Sequence, residues 1–236
     1  MLILGIESSA VSAGAAIVKD GKLISETYLN LGLTHSETLL TLTDACLKNA
    51  GLAMGDIDAF AVAHGPGSFT GIRIGVSAVK GFTFGTDKPV YGISTLEALA
   101  CGAALEDYLI CPAMDARCSQ IYTAAFVYHD GALVRMLDDC ALKLDAFYEY
   151  VRAQDKKLLL LGDGAALAAG YLSEKNDVIF SVMPESFKYQ HAAGVAFAAW
   201  VRYNNGEAGQ DGKTLLPSYL RLPQAERERI KGEKKQ

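Results

Sequence analysis

Apolar runs of strand length open the chain and are separated by polar turns. Leu2 to Glu7 and Ala13 to Lys19 form two such runs, and a third, Lys22 to Tyr28, follows the dipeptide Asp20-Gly21. An Asp-Gly dipeptide between two runs is a strong signal for a tight hairpin turn. The pattern therefore predicts one strand followed by a β-hairpin.

The stretch after the hairpin alternates between helix and strand patterns. A helix is predicted over Ser36 to Ala50, and Gly51 supplies its C-terminal cap. The remaining predicted elements are strands over Asp58 to Ala63 and Pro89 to Ile93, a helix that leaves the loop His64 to Gly71 and ends near Phe84, and a helix that starts at Ser94-Thr95.

The same order of elements then returns. The second series has strands over Leu109 to Met114 and Ile121 to Tyr128, the turn Asp130-Gly131, a helix over Leu144 to Ala153, a strand over Lys157 to Leu161 and a helix over Ala165 to Leu172. The period is about 110 residues, longer than the repeat of a solenoid. The sequence therefore predicts a duplicated α/β unit, with one lobe at 1–100 and a second at 101–211.

The end of the chain carries three further predictions. His191 to Tyr203 is expected to be a helix, and Leu215 to Arg221 a final strand with Pro217 at its edge. The segment 212–236 is expected to rejoin the first lobe. Seven of the ten residues in Arg227 to Gln236 are charged, so this part is expected to be a frayed tail.

Composition narrows the class of protein. The chain has 236 residues, with 22 Lys and Arg against 27 Asp and Glu, giving a net charge of −5. This balance argues against a chain that grips nucleic acid by itself, because such binding depends on clustered basic residues. We expect a cytoplasmic protein without a membrane span, since no secretory leader or long apolar run is evident and the five cysteines contain no CxxC pair.

Catalytic and metal motifs find little support. The four histidines, His35, His64, His129 and His191, are widely separated, and no two have the helical spacing of metal ligands. Ligands converging from distant loops stay an open alternative. Ser68 has Pro66 and Thr70 where a nucleophile elbow needs glycines, and no Gly-Lys-Ser/Thr closes a P-loop. We therefore predict neither a catalytic residue nor a resident metal or cofactor.

Two polar turns are candidate anion or nucleotide contacts. Gly67, Ser68 and Thr70 lie in a turn that opens a helix, with Arg73 one turn further on. Backbone N–H groups at such a helix start can cradle an anion, but the glycines can equally serve a tight turn. The first strand ends with Glu7, Ser8 and Ser9, and the matching strand of the second series ends with Asp115. The carboxylates of Glu7 and Asp115 could hold a ligand, or they could only accept hydrogen bonds from their own turns.

The two long helices of the first half are apolar over an unusually wide arc. In the first helix the arc comprises Leu39, Leu40, Leu42, Ala45, Cys46 and Leu47. In the second, Arg73 and Lys80 are the only charges between Gly71 and Gly85. A surface helix normally shows a narrower apolar stripe. The side that the chain's own sheet leaves open must be covered either by more of the same chain or by a protein partner, and we expect a partner.

Several motifs, taken together and in order, resemble the bacterial TsaB (YeaZ) family. They are Gly65-Pro66-Gly67-Ser68-Phe69-Thr70-Gly71-Ile72-Arg73-Ile74-Gly75, Glu7-Ser8-Ser9, His35-Ser36-Glu37, Gly92-Ile93-Ser94-Thr95-Leu96-Glu97-Ala98-Leu99, Met114-Asp115-Ala116-Arg117 and Tyr219-Leu220-Arg221. They span nearly the whole chain. The family usually has Asp-Thr-Ser in place of Glu7-Ser8-Ser9, a departure toward its larger relative TsaD.

The resemblance implies a duplicated actin-like fold, as in sugar kinases, with a mixed sheet and flanking helices in each lobe. It also implies a non-catalytic subunit that binds and activates TsaD, so that threonylcarbamoyl is transferred to adenosine 37 of tRNAs reading codons that begin with A. The ATPase TsaE would join the complex, and tRNA would be met only indirectly. The two metal-binding histidines of TsaD fall here on Thr95 and Leu99, which cannot ligate a metal as imidazole does.

Family members pair with TsaD through a four-helix bundle, which matches the two over-apolar helices. The implied partner interface comprises Leu39, Leu42, Thr43, Cys46, Arg73, Val76, Val79 and Lys80. Replacing Leu42 or Val76 by Glu is expected to abolish pairing and leave the monomer folded. Alone, the chain is expected to form a homodimer through the same surface.

Two other functions remain as alternatives. An ATP-dependent kinase of the same fold would need a second nucleotide loop, for which Gly162-Asp163-Gly164 is the candidate. A protease would need a metal dyad, an elbow or a Cys–His pair, and none is recognisable by spacing.

Overall fold

The first half of the chain forms a mixed sheet of five strands. The computed structural model describes residues 1–32, 34–103 and 105–221. The strands are β1 (Leu2–Glu7), β2 (Ala13–Lys19), β3 (Lys22–Leu29), β4 (Ala59–Gly65) and β5 (Val90–Ser94), in the order β3-β2-β1-β4-β5. The first three are antiparallel neighbours, and β4 and β5 continue the sheet in parallel.

The second half repeats this arrangement. Its strands are β6 (Tyr108–Asp115), β7 (Gln120–His129), β8 (Ala132–Lys143), β9 (Lys157–Leu161) and β10 (Phe180–Val182), in the order β10-β9-β6-β7-β8. Each strand has its counterpart in the first sheet, with the same neighbours and the same directions. The predicted duplication is confirmed. Strand β10 was not predicted, because three residues are too few for a periodic signal.

In the described part of the chain, six α-helices pack on the two sheets. They are α1 (His35–Asn49), α2 (Phe69–Thr83), α3 (Thr95–Cys101), α4 (Leu144–Arg152), α5 (Ala165–Ser173) and α6 (Ala192–Asn204). Helices α1 and α2 pack on the outer face of the first sheet, and α4 and α5 on the outer face of the second. Helices α3 and α6 lie between the sheets. This is the duplicated actin-like α/β fold that was expected.

Helix α6 lies directly against the first sheet. A Cβ atom on Gly5 of β1 would be 2.7 Å from the backbone nitrogen of Ala196, so only glycine allows this approach. The alanines along α6, including Ala192 and Ala199, are buried there. Helix α6 thus packs on the first sheet although its residues fall within the range 101–211, and the division into lobes at 1–100 and 101–211 stays a prediction.

Both hairpin predictions agree with the backbone. Asp20 and Gly21 have φ of 48° and 77°, and Asp130 and Gly131 have φ of 50° and 77°. Consecutive positive φ values are those of a type I′ turn, whose twist suits adjoining antiparallel strands. The sequence signal and the turn geometry thus coincide in both halves.

The predicted last strand, Leu215 to Arg221, is wrong. This segment, here called the C-terminal strap, has no regular structure, and the free edge of β5 is bridged instead by Gln210 opposite Val90. Pro217 offers no N–H, and Ser218 donates its N–H to the carbonyl of His64 at 2.7 Å. Single hydrogen bonds to distant parts of the chain therefore take the place of a strand's backbone ladder. The charged tail at Arg227 to Gln236, like the rest of 222–236, lies outside the described residues.

Two further observations concern the helices and the cysteines. None of the helices in the described part of the chain is long and apolar enough to cross a membrane. All five cysteines are described, and each is a free thiol.

Candidate functional site

Glu7 is buried at the end of β1. Its Oε1 accepts hydrogen bonds from the backbone N–H of Ser9 at 2.6 Å and from the Ser9 hydroxyl at 2.5 Å. Its Oε2 is buried and has no hydrogen-bond partner among the described residues. Burial raises the pKa of Glu7 to about 7, although the Ser9 hydrogen bonds partly offset the shift. Glu7 therefore gains and loses its proton near neutral pH.

The start of α2 packs tightly on the turn after Glu7. A Cβ atom on Gly71 would lie 2.0 Å from the carbonyl oxygen of Ser8, and one on Gly75 would lie 2.5 Å from the Ser8 hydroxyl. That hydroxyl donates to the carbonyl of Gly71 at 2.9 Å. The glycines of the motif thus allow two backbone segments to touch.

The candidate anion cradle is occupied by the chain itself. Ser68 donates its N–H to the carbonyl of Ser9 at 2.7 Å, and its hydroxyl accepts from the N–H of Gly71 at 3.3 Å. Ser68 and Thr70 are exposed, Gly67 is half-buried, and the Glu7-Ser8-Ser9 turn is buried. These contacts favour the tight-turn alternative, and an anion or nucleotide contact stays a prediction.

A polar site joins the two lobes through Gln190. Its side-chain amide N–H donates to Asp163 Oδ1 at 3.0 Å, and its backbone carbonyl accepts from the Ser12 hydroxyl at 2.9 Å. Burial raises the pKa of Asp163. The Gly162-Asp163-Gly164 turn serves close packing, because a Cβ atom on Gly162 would lie 2.3 Å from the carbonyl oxygen of Ala113.

Most residues of the implied partner interface face the protein's own core. The buried members are Leu39, Thr43, Cys46, Val76 and Val79. Leu42 is half-buried, and Lys80 is partly buried and donates to the carbonyl of Lys213 at 3.2 Å. Arg73 is the one exposed member of this set. The apolar arc in the sequence did not indicate which side the sheet would cover.

The burial of Val76 also corrects one expectation. Val76 is 4% exposed and belongs to the core of the first lobe. A glutamate at this position would place a charge among apolar side chains, which costs several kcal/mol unless the charge is neutralised. The monomer is therefore not expected to tolerate Val76→Glu, and this variant cannot test pairing.

The exposed sides of α1 and α2 enclose a groove of about 540 Å³. Its lining contains one positive charge and no acid, and comprises His35, Ser36, Leu39, Leu40, Thr70, Arg73, Ile74, Ser77 and Ala78. Leu40 is 57% exposed. Helical spacing could have found this face, because Thr70, Ile74 and Ser77 recur opposite the buried Ile72, Val76 and Val79.

The histidines remain apart. His35 Nε2 lies 2.7 Å from the carbonyl oxygen of Ala10, and His64 Nδ1 lies 3.2 Å from that of Leu216. His191 stacks on Tyr28. Within the described ranges, no three His, Cys, Asp or Glu side chains come together as a metal site. Thr95 and Leu99 are buried within α3.

Comparison with known proteins supports the motif resemblance. The family model of TsaD, tRNA N6-adenosine threonylcarbamoyltransferase, matches residues 31–229. The chain is 31% identical over 234 residues to the tRNA threonylcarbamoyladenosine biosynthesis protein TsaB of Bacillus subtilis, covering 99% of this chain and 100% of that protein. It is also 31% identical to a tRNA N6-adenosine threonylcarbamoyltransferase of Nitratidesulfovibrio vulgaris, but over 60% of this chain and 44% of the transferase.

The fold has a close solved counterpart. A Pseudomonas aeruginosa protein described as similar to the peptidase YeaZ superposes with a TM-score of 0.79 at 24% identity, over 93% of this chain and 99% of that one. This match shows the fold. The full-length match to TsaB shows the family. The chain belongs to the TsaB (YeaZ) family.

Proposed function

We propose that this chain is a non-catalytic scaffold subunit in tRNA threonylcarbamoyladenosine biosynthesis. It binds a TsaD-type transferase through the exposed sides of α1 and α2 and activates it. The transferase then modifies adenosine 37 of tRNAs that read codons beginning with A. Family membership supports the pathway, because the Bacillus subtilis relative that the chain matches end to end is named for it.

The open groove between α1 and α2 carries the proposal. It combines exposed Leu40 with the apolar side chains of Ile74 and Ala78, which line the groove. Exposed apolar surface with a polar rim is typical of a protein interface. Two helices from a partner would complete a four-helix bundle with this pair.

The scaffold role is supported by the residues at the positions of the TsaD metal ligands. Thr95 and Leu99 are buried in α3, and neither side chain can act as imidazole does. In the proposal the transferase therefore supplies the chemistry, and this chain supplies a surface. TsaE joins the same complex, tRNA is contacted through the complex, and the isolated chain forms a homodimer through the same groove.

Reconstitution tests the proposal. Threonylcarbamoylation of tRNA is measured with the TsaD-type transferase, TsaE and the enzyme that supplies threonylcarbamoyl-adenylate, with and without this chain. We expect strong stimulation by the chain, and full activity without it would overturn the function. Leu40→Glu should remove the stimulation, whereas Leu167→Glu on the outer side of α5 is the matched control.

A kinase remains the alternative function. Titration of the isolated chain with Mg-ATP by calorimetry discriminates the two. We expect no tight binding, since the N–H of Ser68 already bonds Ser9 and Gly162 packs on Ala113. Micromolar affinity would favour the kinase.

A further inference from the structure

We propose that Arg73 receives a carboxylate of the partner subunit and that Tyr219 of the C-terminal strap positions Arg73 for this contact. The proposal rests on the proposed function, because it concerns the same groove. It adds the chemistry of the contact, a carboxylate bound by a guanidinium. It also gives a role to the C-terminal strap, which is not part of the two helices of the groove.

Arg73 is held on one side only. Its Nε donates to the hydroxyl of Tyr219 at 2.7 Å, and its guanidinium carbon lies 5.6 Å from the centre of the Tyr219 ring. Tyr219 in turn stacks on Phe69, one turn earlier in α2, with ring centres 4.6 Å apart. These contacts fix the guanidinium. Its two terminal nitrogens form no hydrogen bond or ion pair with the other described residues.

The strap that carries Tyr219 is anchored in both lobes. Leu215 is buried in the core of the first lobe, and Ser218 bonds the carbonyl of His64. At the other end, Arg221 donates to the carbonyl of Ala116 in the second lobe at 2.5 Å. The position of Tyr219, and with it that of Arg73, therefore depends on how the two lobes are joined.

The charge of the groove indicates the partner's chemistry. No acid lines it, and Arg73 forms no ion pair with any residue in the described ranges. A guanidinium presents paired N–H groups that match a carboxylate. An apolar floor beside one unpaired cation fits a partner helix that places an Asp or Glu next to apolar side chains.

Positioning by Tyr219 should strengthen binding. A free arginine loses side-chain freedom when it pairs, which lowers affinity. Here the Tyr219 contacts have already restricted Arg73 before the partner arrives. Through Tyr219 and Arg73, the strap would make the affinity for the partner depend on how the two lobes are arranged.

The first experiment measures partner affinity for Arg73 variants of the full chain, by calorimetry with purified TsaD-type transferase. We expect Arg73→Glu to weaken binding by about 100-fold and Arg73→Lys by roughly 10-fold, since lysine keeps the charge and loses the fork. Lys48→Glu, an equal charge change on α1 outside the groove, is the control. The affinity of the unmodified chain should fall with added salt, and that of Arg73→Ala should fall less.

The second experiment is a double-mutant cycle. Tyr219→Phe keeps the ring stacking and removes the hydroxyl, and we expect about 5-fold weaker binding. In an Arg73→Ala background the same change should have no effect, because a positioning residue acts through Arg73. An equal loss in both backgrounds would mean that Tyr219 only supports the fold, and would overturn its role.

Failure of this inference differs from failure of the proposed function. If the unmodified chain and the transferase do not associate, the proposed function fails. If they associate and Arg73→Glu binds as tightly as Lys48→Glu, the function stands and the carboxylate contact is overturned. If instead Arg73→Glu binds more weakly, acidic residues of the transferase are replaced by basic ones. The replacement that restores binding to Arg73→Glu identifies the partner residue.

Discussion

The outer helix pairs of the two lobes occupy matching places and have different surfaces. Between α4 and α5, Tyr171 donates to Asp145, and Lys175 lies over the rings of Tyr148 and Tyr171. Side chains of the same lobe thus span this pair. Between α1 and α2, a groove lined by apolar and small polar side chains stays open, and its Arg73 forms no ion pair with another described residue. One topology therefore yields a face spanned by its own side chains in one lobe and an open groove in the other.

The carboxylates at the matching strand ends of the two lobes differ in burial. Glu7, at the end of β1, is fully buried with one oxygen unpartnered. Asp115, at the end of β6, is partly exposed and accepts from the N–H of Arg117 at 2.7 Å. Duplicated folds keep strand order, because it is fixed by many backbone bonds, while burial at each turn depends on what packs there.

The largest expected effect concerns the close contact in the first lobe. Gly71→Ala would force the carbonyl of Ser8 to move, and we expect a loss of roughly 4 kcal/mol in the free energy of unfolding. Gly170→Ala, in α5 with open space around it, should gain about 1 kcal/mol. Urea unfolding of both variants measures this. Equal effects would contradict the tight packing of α2 on the β1 turn.

The next effect is the pH dependence set by Glu7. Its pKa is raised from 4.5 to about 7, so between these pH values the folded chain holds a proton that the unfolded chain releases. Stability contributed by the neutral form is present below pH 4.5 and is lost as pH rises, by about 3 kcal/mol in total.

Urea unfolding at several pH values checks this. Glu7→Gln should flatten the slope between pH 4.5 and 7. Asp115→Asn at the matching strand end should leave the slope in place, because Glu7 stays buried. A slope unchanged by Glu7→Gln would show that another group causes it.

The third effect compares exposed leucines on the two outer faces. Leu40→Glu on α1 should weaken binding of the transferase by about 100-fold, since it places a charge in an apolar contact. Thermal unfolding should change little, because Leu40 is 57% exposed. Leu167→Glu on α5, where the side chain is 39% exposed, should leave affinity unchanged. Similar losses from both would remove the distinction between the lobes.

The smallest effect is expected from the closed face. Tyr171→Phe removes the hydroxyl that donates to Asp145 and should lower the melting temperature only slightly, because the pair is at the surface. Partner affinity should not change. A weaker complex after this substitution would mean that α4 and α5 also contact the partner.

Much of the fold could be predicted from local pattern. The predicted bounds of the strand Lys157–Leu161 agree with the structure at both ends. Both Asp-Gly turns were also predicted correctly, because an Asp-Gly dipeptide fits few conformations other than a tight turn. The strap was predicted wrongly as a strand, since Leu215 to Arg221 is fixed by bonds to His64 and Ala116 far away in sequence. For the candidate site the sequence indicated α1 and α2; Arg73 lies in the groove between them, whereas Val76 and Val79 face the core, and the interface itself stays a prediction.

The sequence by itself determined the duplicated order of elements, the turn positions and the TsaB family, since these depend on spacing and residue type within short segments. Only the tertiary structure decided which side of α1 and α2 stays open, that Glu7 is buried, and that Tyr219 meets Arg73. The physical reason is common to all three. Burial and side-chain contacts between distant segments depend on where the sheets, helices and strap come to lie, and periodicity along one helix does not carry that information.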